Sequence, residues 1–408
     1  MELNVNRTIS ELFSAVSLAL DIDEGVKLYH AWRVSIFGAE IAGRMLPEER
    51  KNIFYGCLLH DIGGIGLSDH IIHYLLKEGI PEEPAVLAHP LIGAEIVSQI
   101  PNLETTAKFI LNHHEWHNGK GYPLGRQKDA IPRAAQIISI ADQIDIFMRK
   151  EALPSQAGLI NALEARRNRQ FPSGLIDCAI EVLRNVALFE EVREQNNLVK
   201  LFHKTRKDVG EISIPAGVDA VGTACEVFSQ LIDTKHPYTV GHSNRVSRYC
   251  LLIALAMDLP HDQITNIKWS GLLHDIGKLG ISRKLLDKPA GLTPEEYEQI
   301  KQHIVYTKEI LGAITDFKEI AWIASSEHER YDGKGYPQGL AAQAIPLGAR
   351  IIAVADAFDA MTSDRPYRKA ISVSAACQEL EKNSGTQFDP AVSKEALPLL
   401  RNLIVTVG

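Results

Sequence analysis

The strongest constraint on this 408-residue chain is that its two halves carry nearly the same message. Laid on each other at a shift of 214 positions, "YGCLLHDIGGIGLS" (55–68) meets "WSGLLHDIGKLGIS" (269–282), and "HHEWHNGKGYP" (113–123) meets "EHERYDGKGYP" (327–337). His60 then falls on His274, Asp61 on Asp275, His89 on His303, His114 on His328, Tyr122 on Tyr336 and Asp142 on Asp356. Upstream, "HAWRV" at His30 matches "HSNRV" at His242 at a shift of 212. The similarity also extends downstream to the end of each half. A unit of about 185 residues is far longer than a solenoid repeat, so the expected organisation is two tandem domains. These are residues 1–200 and 218–408, joined by a linker at 201–217 where charge, Pro215 and two glycines interrupt helical periodicity.

Between the landmarks, "RVSRYCLLIALAMDL", "TPEEYEQIKQHIVYTKEIL" and "VSAACQELEKN" repeat apolar residues every three or four positions. Thr293, followed by Pro294 and Glu296, reads as a capping-box start. Short β-branched runs such as "ARIIAVAD" lack hairpin partners and βαβ rhythm. The expected fold class is therefore all-α, two tandem helical bundles, each around a binuclear metal site. A net charge of −8 gives no general attraction to a nucleic acid polymer or an anionic membrane. Five cysteines without C-x-x-C spacing, and no long apolar run or basic leader, point to a cytoplasmic protein without disulfides.

One histidine on an apolar helix is usually a hydrogen-bonded core residue. Here five separated helical segments keep His or Asp at matching positions in both halves, and that joint pattern favours metal. Imidazole and carboxylate are the ligands of Fe, Mn or Zn, and helical bundles gather them internally. Adjacent His and Asp on a helix point about 100° apart, so an aspartate bridging two ions follows from the doublet. "DGKG" lacks Walker spacing and reads as a turn, with Gly333 and Gly335 expected at positive φ and Pro337 fixing the exit.

"HDIGK", "HxxRV", "HERYDGKGYP", "VADAFDAMTSDRPYR" and "FDP", in this order and spacing, resemble the HD-GYP subfamily of the HD-domain metal-dependent phosphohydrolases. The resemblance covers nearly the whole chain as two tandem units. It implies helical phosphodiesterases that use two divalent metal ions per site, Fe or Mn foremost and Ni, Mg or Zn as alternatives. Their substrate is a small-molecule cyclic dinucleotide, cyclic di-GMP or 3′3′-cGAMP. In the second unit it implies one metal on His242, His274, Asp275 and Asp356, and another on Asp275, His303, Glu327 and His328. Glu327 stands where the family has histidine, and Tyr238 where some members have a third-metal glutamate. In the first unit it implies His30, His60, Asp61, His89, His113, His114 and Asp142.

The resemblance further gives Asp275 and Lys278 catalytic roles and assigns Asp359, Arg365 and Arg368 to substrate phosphate or base. A bland reading of "DRPYR" is a helix-capping ion-pair cluster, and Tyr336 reads as a packing residue. The first unit has Gly64 for Lys278, Asn118 for Asp332 and no counterpart of "SDRPYR". It is expected to be a 5′-nucleotidase-like or regulatory site, with cleavage to a linear dinucleotide in the second unit. Two alternatives stay open: a non-catalytic sensor or docking protein with degenerate sites, and a general HD nucleotidase. A homodimer or a signalling protein partner is compatible with either.

Overall fold

The computed structural model describes residues 3–23, 25–77, 79–150, 155–235, 240–288, 290–364 and 369–403. Among them the only sheet is a two-stranded ribbon, Ile22–Asp23 with Val26–Lys27, and the architecture is otherwise helical. "ARIIAVAD" is helical, inside Leu347–Thr362. The chain divides into two compact units, Met1–Thr223 and Ala224–Gly408.

In the first unit, helix His30–Met45 buries Val34, Phe37 and Ile41, and helix Arg133–Lys150 buries Ile137, Ala141 and Ile144. Both sets follow the three- and four-residue spacing that lines one helical face. The two helices pack on each other, with Arg50–Leu59 on His30–Met45. In the second unit the corresponding trio is His242–Ala256, His261–Leu273 and Leu347–Thr362, around Val246, Cys250, Ile352 and Phe358. Thr293 caps Pro294–Gly312 with the reciprocal Glu296 bond of a capping box.

The stretch 201–217, expected as a linker, is helical as far as Val209, within Gln195–Val209. Phe202 is fully buried and stacks on Trp32 at 3.9 Å between ring centroids. Beyond the helix, the Ile212 amide donates to Ser10 Oγ and the Ile214 amide to Asn6 Oδ1, so the segment is fastened to the first unit. Its apolar signal is thin because only Leu198, Phe202 and Thr205 turn inward from a highly charged helix.

Truncating Phe202 to alanine is expected to destabilise the first unit by about 3–5 kcal/mol in a urea titration. A loss below about 1 kcal/mol would mean that the segment acts as a tether and not as core.

Candidate metal centres

Each cluster is assembled where helices end or pass at close range. His60 and His274 are the residues immediately after Arg50–Leu59 and His261–Leu273, and the next residues, Asp61 and Asp275, open 3-10 turns. The glycine of each "HDIG" lets a neighbouring helix approach: a Cβ on Gly63 would meet the His89 carbonyl oxygen at 2.1 Å, and one on Gly277 the His303 carbonyl oxygen at 1.8 Å. Any side chain there would push His89 or His303 away from the aspartate.

The imidazoles are held in one tautomer. His60, His113, His274 and His303 point Nδ1 at the carbonyl oxygen three residues earlier, Cys57, Ile110, Gly271 and Ile300, at 2.6–2.9 Å. His89 does the same to Val86. A carbonyl can only accept, so each Nδ1 carries a hydrogen, and the neutral ring presents its Nε2 lone pair to the cluster. His30 and His242 use carboxylates instead, Asp145 Oδ2 at 2.6 Å and Asp359 Oδ2 at 2.7 Å.

These lone pairs then face one another. In the first unit, Nε2 of His30 lies 3.3 Å from that of His60, and Nε2 of His89 lies 3.3 Å from that of His113. Asp61 spans both pairs, with Oδ2 at 3.2 Å from His60 and Oδ1 at 3.3 Å from His89. Both oxygens of Asp61 and of Asp142, and His114 Nε2, are buried without a hydrogen-bond partner. Buried carboxylates and ring nitrogens converging at this range would be strongly unfavourable without positive charge between them, supplied by protons on the imidazoles or by cations. The donor set and its geometry therefore fit cations.

All fourteen expected ligand side chains fall into such groups. Potential ligand atoms lie within 4.8 Å of one another in His30/His60/Asp142, Asp61/His89/His113/His114, His242/His274/Asp356, His303/Glu327/His328 and His274/Asp275/Glu327. Glu327 reaches further than its expected place beside one ion: Oε2 is 3.6 Å from His274 Nε2, and Oε1 is 3.6 Å from His303 Nε2. It thus lies alongside Asp275 between the two halves of the cluster.

Protonation in the cation-free protein reflects the same crowding. Burial alone would lower His30 and His274, but the hydrogen bond that His30 donates to Asp145 and the nearby Asp61 carboxylate raise His30 to about 9, and the charges of Glu327 and Asp275 raise His274 to about 9. Burial pushes His114 and His328 down, which favours the neutral, ligating form. Burial would raise Asp275, yet Lys278 and His274 hold it well below the usual carboxylate range.

Three expected site residues need comment. Lys278 donates to Asp275 Oδ2 at 2.6 Å with its side chain a quarter exposed, so it touches the cluster and also reaches solvent. Asp359, expected to meet substrate, is 1% exposed, and its oxygens are taken by His242 Nδ1 and by Arg245 Nε at 2.6 Å. These contacts orient His242. Arg365 and Arg368, like Tyr238, lie outside the described residues. In the first unit, the position of Lys278 belongs to Gly64, where a Cβ would stand 2.9 Å from Ile71 Cδ1.

The turn after the His pair also differs in detail from expectation. Gly333 has φ 77°, but Gly335 is not left-handed; it is needed because a Cβ would stand 2.3 Å from the Arg330 amide nitrogen. The following Tyr–Pro bond is cis in both units. Tyr122 and Tyr336 lay their rings against His114 and His328, with centroids at 4.7 and 4.9 Å.

Sequence reasoning missed four carboxylates or their roles. Asp145 and Asp359 set the tautomer of the first histidine, and Arg33 and Arg245 secure them. Buried Glu115 accepts from the Leu124 and Arg126 amides, and Glu329 from the Gln338 and Leu340 amides, closing each turn. The available signal was the recurrence of H-x-x-R, D-x-x-D and the Glu after the His pair in both halves.

Fold and site together define a tandem all-helical protein with a metal-type His/Asp cluster in each half. The HD domain family matches residues 28–146 and again residues 226–392. Among curated proteins, the chain is 29% identical to 3′3′-cGAMP-specific phosphodiesterase 3 of Vibrio cholerae, over 96% of this chain and 95% of that one. It is 30% identical to 3′3′-cGAMP-specific phosphodiesterase 1 of the same organism, over 91% and 86%. A cyclic di-GMP phosphodiesterase of Thermotoga maritima is 39% identical over 44% of this chain and 49% of its own length. A crystal structure of a cyclic GMP-AMP specific phosphodiesterase from V. cholerae superposes with a TM-score of 0.66 at 26% identity, covering 97% of this chain and 98% of that one. The chain belongs to the HD-domain family and is a two-domain protein of the HD-GYP type.

Two outcomes follow for these centres. Replacing Asp359 by asparagine should weaken Mn(II) binding by about 10–100-fold in equilibrium dialysis, as loss of a histidine-orienting carboxylate does. Unchanged metal content with a raised KM would return Asp359 to substrate contact. Because His30 and His274 are protonated near neutrality without a cation and must ligate unprotonated, loading Mn(II) at about pH 7.5 should release protons. The release should fade as pH rises through about 9, and metal affinity should fall as the medium becomes more acidic. A proton count of zero at neutral pH would contradict this.

Proposed function

We propose that the C-terminal unit hydrolyses a phosphodiester bond of a cyclic dinucleotide, 3′3′-cGAMP or cyclic di-GMP, to a linear dinucleotide. The observation that carries the reading is a lone-pair cluster that solvent can reach: the side chains of His328, Asp356 and Lys278 are 30%, 26% and 25% exposed. Its first-unit counterpart exposes Asp61 by 15% and its histidine and Asp142 side chains far less. The names of the curated relatives and of the superposed structure support the substrate class.

Two divalent cations, with Fe or Mn favoured by the mixed imidazole and carboxylate set, would supply Lewis acidity, activating water and neutralising phosphate charge. In the reaction, water oxygen bonds to phosphorus as a ring P–O bond breaks, leaving a terminal phosphate and a free hydroxyl. The chain's own contribution is orientation. Asp359, the Gly271 carbonyl and the Ile300 carbonyl fix His242, His274 and His303, so no ring must reorganise when charge develops. Lys278 anchors Asp275 with one of its three donors and has others for a phosphate oxygen. Arg365 and Arg368 are proposed as a phosphate clamp on the strength of the sequence alone.

The first unit, with its complete His/Asp set, is read as a metal-holding module that is either 5′-nucleotidase-like or regulatory. His60→Ala with Asp61→Ala separates the two: the nucleotidase reading expects the linear product to keep its terminal phosphate in that variant, and dephosphorylation at the normal rate would refute it.

Chromatography of products from 3′3′-cGAMP and cyclic di-GMP, with Fe(II) or Mn(II) under anaerobic conditions, tests the main reading. A linear dinucleotide is expected from the wild-type chain and none from His274→Ala/Asp275→Ala. Stoichiometric binding without product would favour a non-catalytic sensor instead.

A further inference from the structure

Of the seven ligand positions repeated between the units, one changes its chemistry: His113 in the first unit is Glu327 in the second. A neutral imidazole whose Nδ1 is given to a carbonyl has one nitrogen left and serves one cation. His113 is held that way by the Ile110 carbonyl, and its Nε2 lies 3.3 Å from His89 Nε2 and 3.8 Å from Asp61 Oδ1. These partners all belong to one half of the first cluster. A carboxylate, by contrast, has two oxygens and can face two ways.

Glu327 does face two ways. Its side chain is 1% exposed, and both of its oxygens are buried without a hydrogen-bond partner. Oε2 lies 3.6 Å from Nε2 of His274, which groups with His242 and Asp356, whereas Oε1 lies 3.6 Å from His303 Nε2 and 3.7 Å from His328 Nε2. Asp275 straddles the same two groups in the same sense, with Oδ2 3.4 Å from His274 Nε2 and Oδ1 3.9 Å from His303 Nε2. Nitrogen and oxygen ligands about 2.0–2.2 Å from one ion stand roughly 3–4 Å apart, as these atoms do. Lys278 gives the extra oxygen a purpose. It donates to Asp275 Oδ2, the oxygen nearer His242 and His274, and so competes with any cation for it. The first unit has Gly64 at the place of that lysine, and both Asp61 oxygens are without a hydrogen-bond partner. In the second unit, Glu327 Oε2 adds an oxygen on the side where Lys278 draws on one.

We infer that Glu327 is a second bridging ligand, with one oxygen for each of two divalent cations, so that the second unit holds its pair between two carboxylates and the first unit between one. Glu327 is then not a one-for-one replacement of a terminal histidine. It reaches the ion on the far side of the cluster, which His113 in the first unit does not. Exchange of imidazole for carboxylate also makes the donor set harder, which suits Mn(II). This deepens the reading of the second unit as a metal centre and rests on it.

Crystals of the full chain soaked in half-saturating Mn(II) test it, with anomalous signal marking the ions and the first unit serving as internal reference. In the wild-type chain, Glu327 Oε2 should bind the ion that His242 and His274 hold, and Oε1 the ion that His303 and His328 hold. In Glu327→Ala, both second-unit ions should weaken by at least about tenfold, the low end of what losing even a partner behind a metal ligand costs. At half saturation that lowers both peaks about fivefold relative to those of the first unit. The map of the variant shows directly whether it is folded, and if it does not crystallise the wild-type coordination decides alone. Both oxygens on a single ion, either oxygen turned away to Lys278 or to water, or a drop at only one of the two peaks would each overturn the inference. No peak in the second unit of the wild-type chain would be a different failure, that of the metal reading itself, and would remove the bridge with it.

Discussion

The structure depends on one electrostatic constraint: in each unit, ring nitrogens and carboxylate oxygens are held within hydrogen-bond range of one another and demand positive charge between them, as protons on the imidazoles or as cations. Five of the rings are locked by a carbonyl one helical turn back, and two by a buried aspartate. That locking makes the arrangement a preformed receptor for positive charge, because the rings cannot relieve the repulsion by turning a donor inward. The helical packing, the close-approach glycines and the turn closed by Glu115 or Glu329 all act to maintain it.

The two units meet this constraint with different residues. Where the first has His113 the second has Glu327, adding a negative charge, and where the first has Gly64 the second has Lys278, adding a positive one. Lys278 sits 2.6 Å from the Asp275 carboxylate, within the same cluster as Glu327. The substitutions therefore offset each other, and the inner charge of the two centres stays equal. The Ile71 side chain lies beside Gly64, with its Cδ1 2.9 Å from where a Cβ would stand. A glutamate that looks like damage when read singly becomes half of a balanced exchange.

Much of this was legible before any coordinates, and the reasons are physical. Duplication repeated the ligand positions at an offset of 214, or 212 for the first histidine, which separated them from the drifting residues around them. Helical periodicity gave the all-α class because most helices have one clearly apolar face. What the sequence hid was direction. Asp356 and Asp359 stand one turn apart on one helix, and the letters alone do not say which carboxylate faces the cluster and which lies behind His242. Helix Gln195–Val209 was hidden by its charge, since three inward residues were enough to anchor it.

The central claim is that these facing lone pairs surround metal ions. Anomalous diffraction from crystals of the Mn(II)- or Fe(II)-loaded chain, recorded on both sides of the metal's absorption edge, tests it most directly. Two anomalous peaks are predicted in each unit, each bounded by histidine Nε2 atoms, with Asp61 or Asp275 between the members of a pair. An anomalous map without peaks at these positions, with the imidazoles rotated to hydrogen-bond one another or water, would contradict the account.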